Sequence, residues 1–400
     1  MSYLEKLLNG FTVEWKPLGE FADYEQPTKY LVDSNNYNDN FKTPVLTAGK
    51  TFILGYTDET DGINNASKNP VIIFDDFTTA NKWVDFDFKA KSSAMKMIKS
   101  KDTSKALLKY IYYWLNTLPN ELVDGDHKRQ WISNYSKKLI PIPSPNNPIK
   151  SIEIQQKIVE ILDSFTELTA ELTAELTARK MQYSYYREKL YAFDKNKVQH
   201  LAMDDESIGM FQRGKRFVKT DLISQGVPVI HYGEMYTHYG TWADKTKSFL
   251  SEELVKNKSL RVANKGDVVI VAAGETIEDI GMGTAWLGNE GVVVHDACFS
   301  YKTILNPKFV AYFTRTKQFH DQIKKYISSG KISSINAKGL GKAIIPVPSK
   351  EEQERIVSIL DRFNILTNSI SGGLPKEIEL RKKQYEYYRD LLLKFPQDNL

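Results

Sequence analysis

At 400 residues the chain is long enough for two or three domains, and a 41% hydrophobic and 12% aromatic content excludes wholesale disorder. It holds no apolar run of the roughly 18 residues a membrane span needs, and Met1-Ser2-Tyr3-Leu4-Glu5-Lys6 lacks the basic-then-apolar pattern of a secretory signal, so neither is expected. A net charge of +4, from 54 basic and 50 acidic residues, permits nucleic-acid binding and argues no further.

Residues 1–150 read as an α+β domain with an irregular sheet and many turns. Pro44-Val45 with Gly49 comes first, and Val71-Ile72-Ile73 reads as a short buried strand. Asp75-Asp76 follows it and mimics a catalytic carboxylate pair. With no lysine motif or second carboxylate cluster nearby, a turn or capping role is expected. Thr79 and Lys82, in Thr78-Thr79-Ala80-Asn81-Lys82, are candidate DNA contacts. A short helix is expected over about 103–117. Gly125 then opens a polar loop whose Lys128, Arg129 and Gln130 belong to the types that reach base edges. A solvated loop that touches nothing is the alternative.

Ile140-Pro-Ile-Pro143 is a proline lead-in. Proline locks φ and disfavours helix in the residue before it, so an extended segment should enter the next helix. In residues 151–197, Ile154, Ile158, Ile161, Phe165, Leu168 and Leu172 step by three or four, as on one helical face. Continuous from about 153 to 193, that helix would run about 60 Å at ~1.5 Å per residue. One apolar stripe on so long a helix calls for a partner. Inside it lies a tandem tetrapeptide, Thr169-Ala-Glu-Leu172-Thr173-Ala-Glu-Leu176, each unit adding about 6 Å and about 40° of rotation.

Residues 198–349 echo the first domain, with Pro228-Val229 and Gly233 in place of Pro44-Val45 and Gly49. His231-Tyr-Gly-Glu-Met-Tyr-Thr-His-Tyr239 suits a contact loop, with Tyr236 as its candidate, although a packed loop core explains the same residues. His231 and His238 have poor zinc spacing and no further ligands, so no metal is expected. Val268–Val271 reads as a buried strand, the single cysteine Cys298 as a small core residue, and 307–326 as helix. One cysteine cannot form an internal disulfide, and a reducing, cytoplasmic setting is expected. After Gly330, Lys331, Ser333, Ser334 and Asn336 occupy the place that Lys128–Gln130 hold in the first domain. A second proline lead-in, Ile345-Pro-Val-Pro348, precedes residues 350–400.

Those last residues repeat the first helical segment. Glu153-Ile-Gln-Gln-Lys-Ile-Val-Glu-Ile-Leu-Asp-Ser-Phe165 returns as Glu351-Glu-Gln-Glu-Arg-Ile-Val-Ser-Ile-Leu-Asp-Arg-Phe363. Arg179-Lys-Met-Gln-Tyr-Ser-Tyr-Tyr-Arg187 returns as Arg381-Lys-Lys-Gln-Tyr-Glu-Tyr-Tyr-Arg389. The intervening stretch differs by one tetrapeptide, 13 residues (166–178) against 17 (364–380), and the second contains Gly372-Gly373 and Pro375, which predict a break. The fold expected is two α+β domains alternating with two long helices that pair as an antiparallel coiled coil, in pseudo-twofold symmetry. Dyad-related readers on a rigid spacer suit a DNA target of two half-sites.

No phosphate-binding glycine loop, no dinucleotide fingerprint and no Asn/Asp-Pro-Pro-Tyr/Phe methyltransferase segment occurs. A catalytic chain is therefore not expected, and a complete modification or restriction enzyme in one chain is disfavoured.

The doubled motif, a proline lead-in followed by Glu-x-Gln-x-x-Ile-Val-x-Ile-Leu-Asp-x-Phe and then Gln-Tyr-x-Tyr-Tyr-Arg, resembles the specificity subunit of type I restriction-modification enzymes. The Thr-Ala-Glu-Leu units resemble spacer repeats of that family. The resemblance spans essentially the whole chain. It implies a non-catalytic subunit with two target recognition domains, each reading half of a bipartite double-stranded target. It also implies two modification subunits carrying S-adenosylmethionine, and restriction/translocase subunits that use ATP and Mg; no cofactor is implied on this chain. Tyr183, Tyr186, Arg187, Tyr385, Tyr388 and Arg389 match the repeated motif and are candidates for helix pairing or modification-subunit contact. A two-headed repressor or architectural protein remains the alternative.

Overall fold

In the computed structural model, which describes residues 3–49, 51–119, 129–369 and 371–395, the chain divides into two units. One is Met1–Leu172 with Ile378–Leu400; the other is Thr173–Glu377.

The first unit is built on a four-stranded antiparallel sheet, in the order Ala22–Glu25, Met95–Ser100, Val71–Asp75, Asn81–Val84. A three-stranded sheet stands beside it, in the order Ile53–Thr57, Thr43–Leu46, Lys89–Ala90. The expected strand at Val71 is buried along its whole length. Alternate side chains of a strand face opposite ways, and here each face meets a core of its own. Ile72 and Phe74 join Tyr110, Trp114 and Ile158 in one, and Val71 and Ile73 join Leu46, Phe88 and Met97 in the other. A continuous apolar run is what such a two-sided strand requires. The expected helix is shorter than its sequence pattern, Leu108–Leu115.

The second unit follows the same plan. Its five-stranded sheet runs Gly209–Arg213, Cys298–Thr303, Val268–Val271, Gly283–Trp286, Trp242–Ala243. A four-stranded sheet runs Ser248–Leu250, Val227–Ile230, Val292–Val294, Val262–Ala263. Val268 and Ile270 enter one core, Val269 and Val271 another. Cys298 is fully buried, and burial pushes its thiol up to about 12. The pattern expected as one helix over 307–326 resolves into Pro307–Phe313 and Lys317–Ile323, because Thr316 caps the second piece by accepting from Phe319 N.

Both proline lead-ins are extended, each as one strand of a two-stranded antiparallel ladder: Leu139–Pro143 with Val13–Pro17, and Ile344–Val347 with Gln199–Ala202. Two-stranded ladders tolerate proline because each strand has an edge free of ladder bonds. The first lead-in feeds a single helix, Pro148–Leu190, of 43 residues. Asn147 Oδ1 accepts from Lys150 N at its start. At the tandem units and just after them, Thr169 and Thr177 donate their hydroxyls to the carbonyls of Phe165 and Thr173, so threonine stays inside the helix. Leu168, Leu172 and Leu176 are half-buried while Glu167, Glu171 and Glu175 are exposed, as the stripe predicts. Toward the start the buried face is broader, taking in Val159 and Leu162.

The second lead-in feeds Lys350–Asn368, capped by Ser349, and the helix then breaks before Gly373–Leu393. Gly373 has φ +72°, and a Cβ there would lie 2.4 Å from the Ile365 carbonyl oxygen, so only glycine fits the break. None of the described helices is long and apolar enough to cross a membrane.

Each unit anchors its helix by the same contacts. In the first, Gln155 Oε1 accepts from Leu107 N at 2.9 Å, and Asp163 accepts from the Tyr113 hydroxyl with Lys109 Nζ 3.0 Å away. In the second, Gln353 Oε1 accepts from Asn306 N at 2.8 Å, and Asp361 accepts from the Tyr312 hydroxyl at 2.7 Å with Lys308 Nζ at 2.8 Å. Gln155 corresponds to Gln353 and Asp163 to Asp361 in the repeat. Each is a polar group placed where a buried donor would otherwise go unmatched. Burial and the carboxylate acceptors push both tyrosines up.

Candidate nucleic-acid interface

In both units the central strand runs into a turn, and that turn meets the segment that carries the sequence-predicted contact residues. Gln130 N donates to the Asp76 carbonyl in the first unit, and Ile335 N to the Ala272 carbonyl in the second.

The first turn is shaped by Asp75, whose Oδ1 accepts from Phe77 N and Thr78 N, the turn role its sequence context suggests. Asp76 is different: it is fully buried, accepts from Trp131 N at 2.8 Å, and faces the fully buried Lys96 at 3.6 Å. Burial pushes the Lys96 ammonium below its ordinary value while Asp76 pulls it back, and the Tyr24 ring lies 4.5 Å away. Arg129 sits 3.9 Å from the same carboxylate with its side chain about half exposed (49%). Gln130 is buried and in contact with Asn134, so it supports the segment from within rather than lining an open loop. Lys128 lies outside the described residues. Lys82 is exposed, 4.9 Å from the Phe52 ring.

Thr79 is buried at φ +62°, with no hydrogen-bond partner for its hydroxyl among the described residues. A β-branched residue in the left-handed region is strained, and an unmatched buried hydroxyl adds to the cost. Thr79→Gly should therefore raise stability by about 1 kcal/mol in chemical denaturation. A less stable variant would show that the strain is outweighed by packing.

In the second unit, Ser333–Ser334 pairs antiparallel with Ala273–Gly274, which places Ser333 in the interior and leaves Lys331 exposed in the hairpin beside it. Asn336 is exposed as the N-cap of Ala337–Gly341, its Oδ1 accepting from Gly339 N at 2.8 Å. Tyr236 donates its hydroxyl to the Ala273 carbonyl at 3.2 Å. Ser333 and Ser334 thus form one side of a ladder whose other side accepts from Tyr236, with Lys331 in the adjoining hairpin. The Tyr236 hydroxyl would lie 2.6 Å from a Cβ at position 274, which is why that ladder position is Gly274.

Residues 231–239, expected as a loop, contain a short helix, Tyr232–Thr237. His231 is its N-cap: Nδ1 accepts from Gly233 N, and Glu234 reaches back toward His231 N. Behind it stands His295. Its Nε2 donates to the Phe217 carbonyl, and its Nδ1 lies 3.1 Å from both Ala297 N and Asp296 Oδ1. Burial pushes both imidazoles below their ordinary value, with Glu234 and Asp296 pulling the other way. A cavity of about 660 Å³ opens here, with Arg216 and Lys219 at its rim. Sequence reading missed Arg216, Lys219 and His295, although the run Arg213-Gly-Lys-Arg216-Phe-Val-Lys219 was a legible basic signal. His295 carries no such signal, because its partners are distant in sequence. Among the described residues, no group of three or more His, Cys, Asp or Glu side chains is placed to hold a metal ion.

The motif tyrosines lie on the helices. Tyr388 stacks on Phe165 at 5.2 Å, while Tyr183 and Tyr186 stack on Phe363 at 6.0 and 5.7 Å. Phe165 and Phe363 correspond in the repeat, as do Tyr388 and Tyr186, so each unit holds a copy of one ring stack. Tyr385 lies 6.3 Å from Tyr113. The Arg187 and Arg389 guanidinium groups stand over Tyr183 and Tyr385.

Residues 12–179 and 206–380 match the family model described as "Type I restriction modification DNA specificity domain". The EcoR124I/EcoR124II specificity subunit of Escherichia coli is 52% identical over 403 residues, covering 99% of this chain and 98% of that one. In fold, the chain is similar to the S subunit of a type I restriction-modification system from M. genitalium, with TM-score 0.51, 16% identity and 100% of both chains covered. It is likewise similar to a chain from a structure of type I R-M complex assembly and conformational transition, with TM-score 0.58 and 15% identity over 95% of this chain and 97% of that one. Two family matches, which together cover most of the chain, and a half-identical relative along the full length leave one conclusion: this chain belongs to the DNA specificity subunits of type I restriction-modification systems.

Proposed function

We propose that each domain reads one half of a bipartite double-stranded DNA target, residues 1–150 one half and 198–349 the other. Segments 151–197 and 350–400 then pair as an antiparallel coiled coil that sets the spacer, with pseudo-twofold symmetry. DNA target recognition, without catalysis, is the function of the family. The observation that carries the finer reading is the duplication of anchors and ring stacks. Phe165 stacks with Tyr388 while Tyr186 stacks with Phe363, so one helix advances in sequence as its partner recedes. Arg129, Lys82, Lys331, Asn336 and Tyr236 are the proposed DNA contacts in reach of solvent. Thr79, Gln130, Ser333 and Ser334 support the same loops, and Lys128 is a further proposed contact.

The partners proposed are two modification subunits, which would bring S-adenosylmethionine, and restriction/translocase subunits using ATP and Mg. Two equivalent partners call for two equivalent surfaces. Tyr185 and Tyr387, which correspond in the repeat, are 58% and 65% exposed, whereas Tyr183 is buried and Tyr186 and Tyr388 are engaged in ring stacks. Exposed rings at matching positions suit contact with two copies of one subunit.

The chain should co-purify with modification subunits, and only the assembly should methylate adenine in both half-sites. By itself the chain should bind DNA weakly, since +4 of net charge predicts few phosphate contacts. Methyl transfer or cleavage by the pure chain would overturn this reading.

A further inference from the structure

The cavity in the second unit is concave, and that shape restricts its use. Base edges lie at the floor of a DNA groove and are read by protruding elements. A hollow can receive only what projects from the duplex or arrives separately. About 660 Å³ is within the range of roughly 300–1,000 Å³ typical of small-molecule sites.

The lining separates a phosphate from a base. Glu275, Asp279 and Asp296 share the wall with Arg216 and Lys219, so a phosphate would meet more carboxylates than cations. Five rings stand among the rest. His231 lies 4.6 Å from Tyr232 and 4.9 Å from His295, and His295 lies 4.8 Å from Phe217 and 5.1 Å from Tyr232. Tyr232 is 37% exposed, so its ring is presented rather than packed away. The pairs meet tilted or edge-on, at 39° to 86°, and an exposed aromatic ring such as Tyr232 is the usual platform for an unstacked base.

We propose that this cavity is a nucleobase pocket, holding one unstacked base against Tyr232 and the histidine rings, with the wall carboxylates accepting from its exocyclic amino group. Adenine, cytosine and guanine carry such a group, and thymine does not. The source of the base rests on the DNA-recognition reading: an extruded base of the target is the expected occupant. A nucleotide free in solution offers the same chemistry.

The test is saturation-transfer NMR on the full-length chain with the four deoxynucleosides. Deoxyadenosine, deoxycytidine and deoxyguanosine should receive saturation, and thymidine less. Tyr232→Ala should weaken binding about tenfold or more, while Tyr232→Phe, which keeps the ring, should retain it. Target duplex should then displace the nucleoside; a duplex that binds without displacing it keeps the pocket and assigns it to a free nucleotide. No saturation transfer at millimolar nucleoside, or binding indifferent to Tyr232→Ala, overturns the proposal. A gel shift run in parallel separates the two readings. A chain whose assembly with modification subunits binds target DNA but which takes up no nucleoside loses only the pocket, and one that takes up nucleosides while that assembly binds no target loses the recognition reading instead.

Discussion

Inserting one Thr-Ala-Glu-Leu unit after Leu176 should give an assembly that methylates the same two half-sites at a longer spacing. Four residues add about 6 Å and leave about 40° of net rotation. At ~3.4 Å per base pair, the spacer should grow by one or two base pairs. Four residues nearly preserve helical phase. Leu168, Leu172 and Leu176 therefore stay in line with Tyr183 and Tyr186, and both ring stacks on Phe165 and Phe363 remain possible. The insertion also brings the first linker to the 17 residues of the second. That second stretch carries the break before Gly373, where a small adjustment does not have to bend a helix. A two-residue insertion should behave in the opposite way. It turns the far end by about 200°, carries Tyr183 and Tyr186 away from the face they now use, and should abolish assembly or activity. Methylation-site mapping of wild type, plus-four and plus-two assemblies makes the comparison. An active plus-four variant with an unchanged spacer would show that these helices do not set the distance.

Exchange of residues 1–150 for the corresponding domain of another family member should replace one half of the target and leave the other intact. Affinity for the original first half should fall toward the non-specific level, about 10³-fold or more. The units support this modularity because each builds its own sheets and cores and holds its helix by its own anchors. The exchanged domain must still offer a hydroxyl and a cation to Asp163, as Tyr113 and Lys109 do. A donor lacking them should assemble poorly for reasons unrelated to DNA. Within the domain, Arg129→Ala should weaken binding of the first half by about 1–3 kcal/mol if it meets a base edge. Selection of sites by the hybrid assembly, read by sequencing of methylated DNA, decides the matter. A hybrid with both halves altered would end the one-domain, one-half reading.

What the sequence determined by itself was whatever depends on local periodicity and backbone chemistry. The long helix was expected over 153–193 and is found at Pro148–Leu190, because a stripe at three- and four-residue spacing over so many turns admits few other structures. Proline made the lead-ins extended, and Gly372-Gly373 with Pro375 announced the break, since both effects act through φ of the residues themselves. The repeat went further, pairing Gln155 with Gln353 and Asp163 with Asp361 before any contact was known. Loop chemistry was another matter. Lys, Arg, Gln, Ser and Thr in a turn look alike in sequence, yet Arg129 is half exposed while Gln130 and Ser333 are buried to hold backbone together. Tyr183, Tyr185 and Tyr186 are equivalent as letters, yet helical phase buries Tyr183 against Phe363 and leaves Tyr185 58% exposed. Asp76 with Lys96, and His231 with His295, meet only because separate strands bring them together. Such pairs are decided by which turns the sheets place side by side, and no local pattern records that.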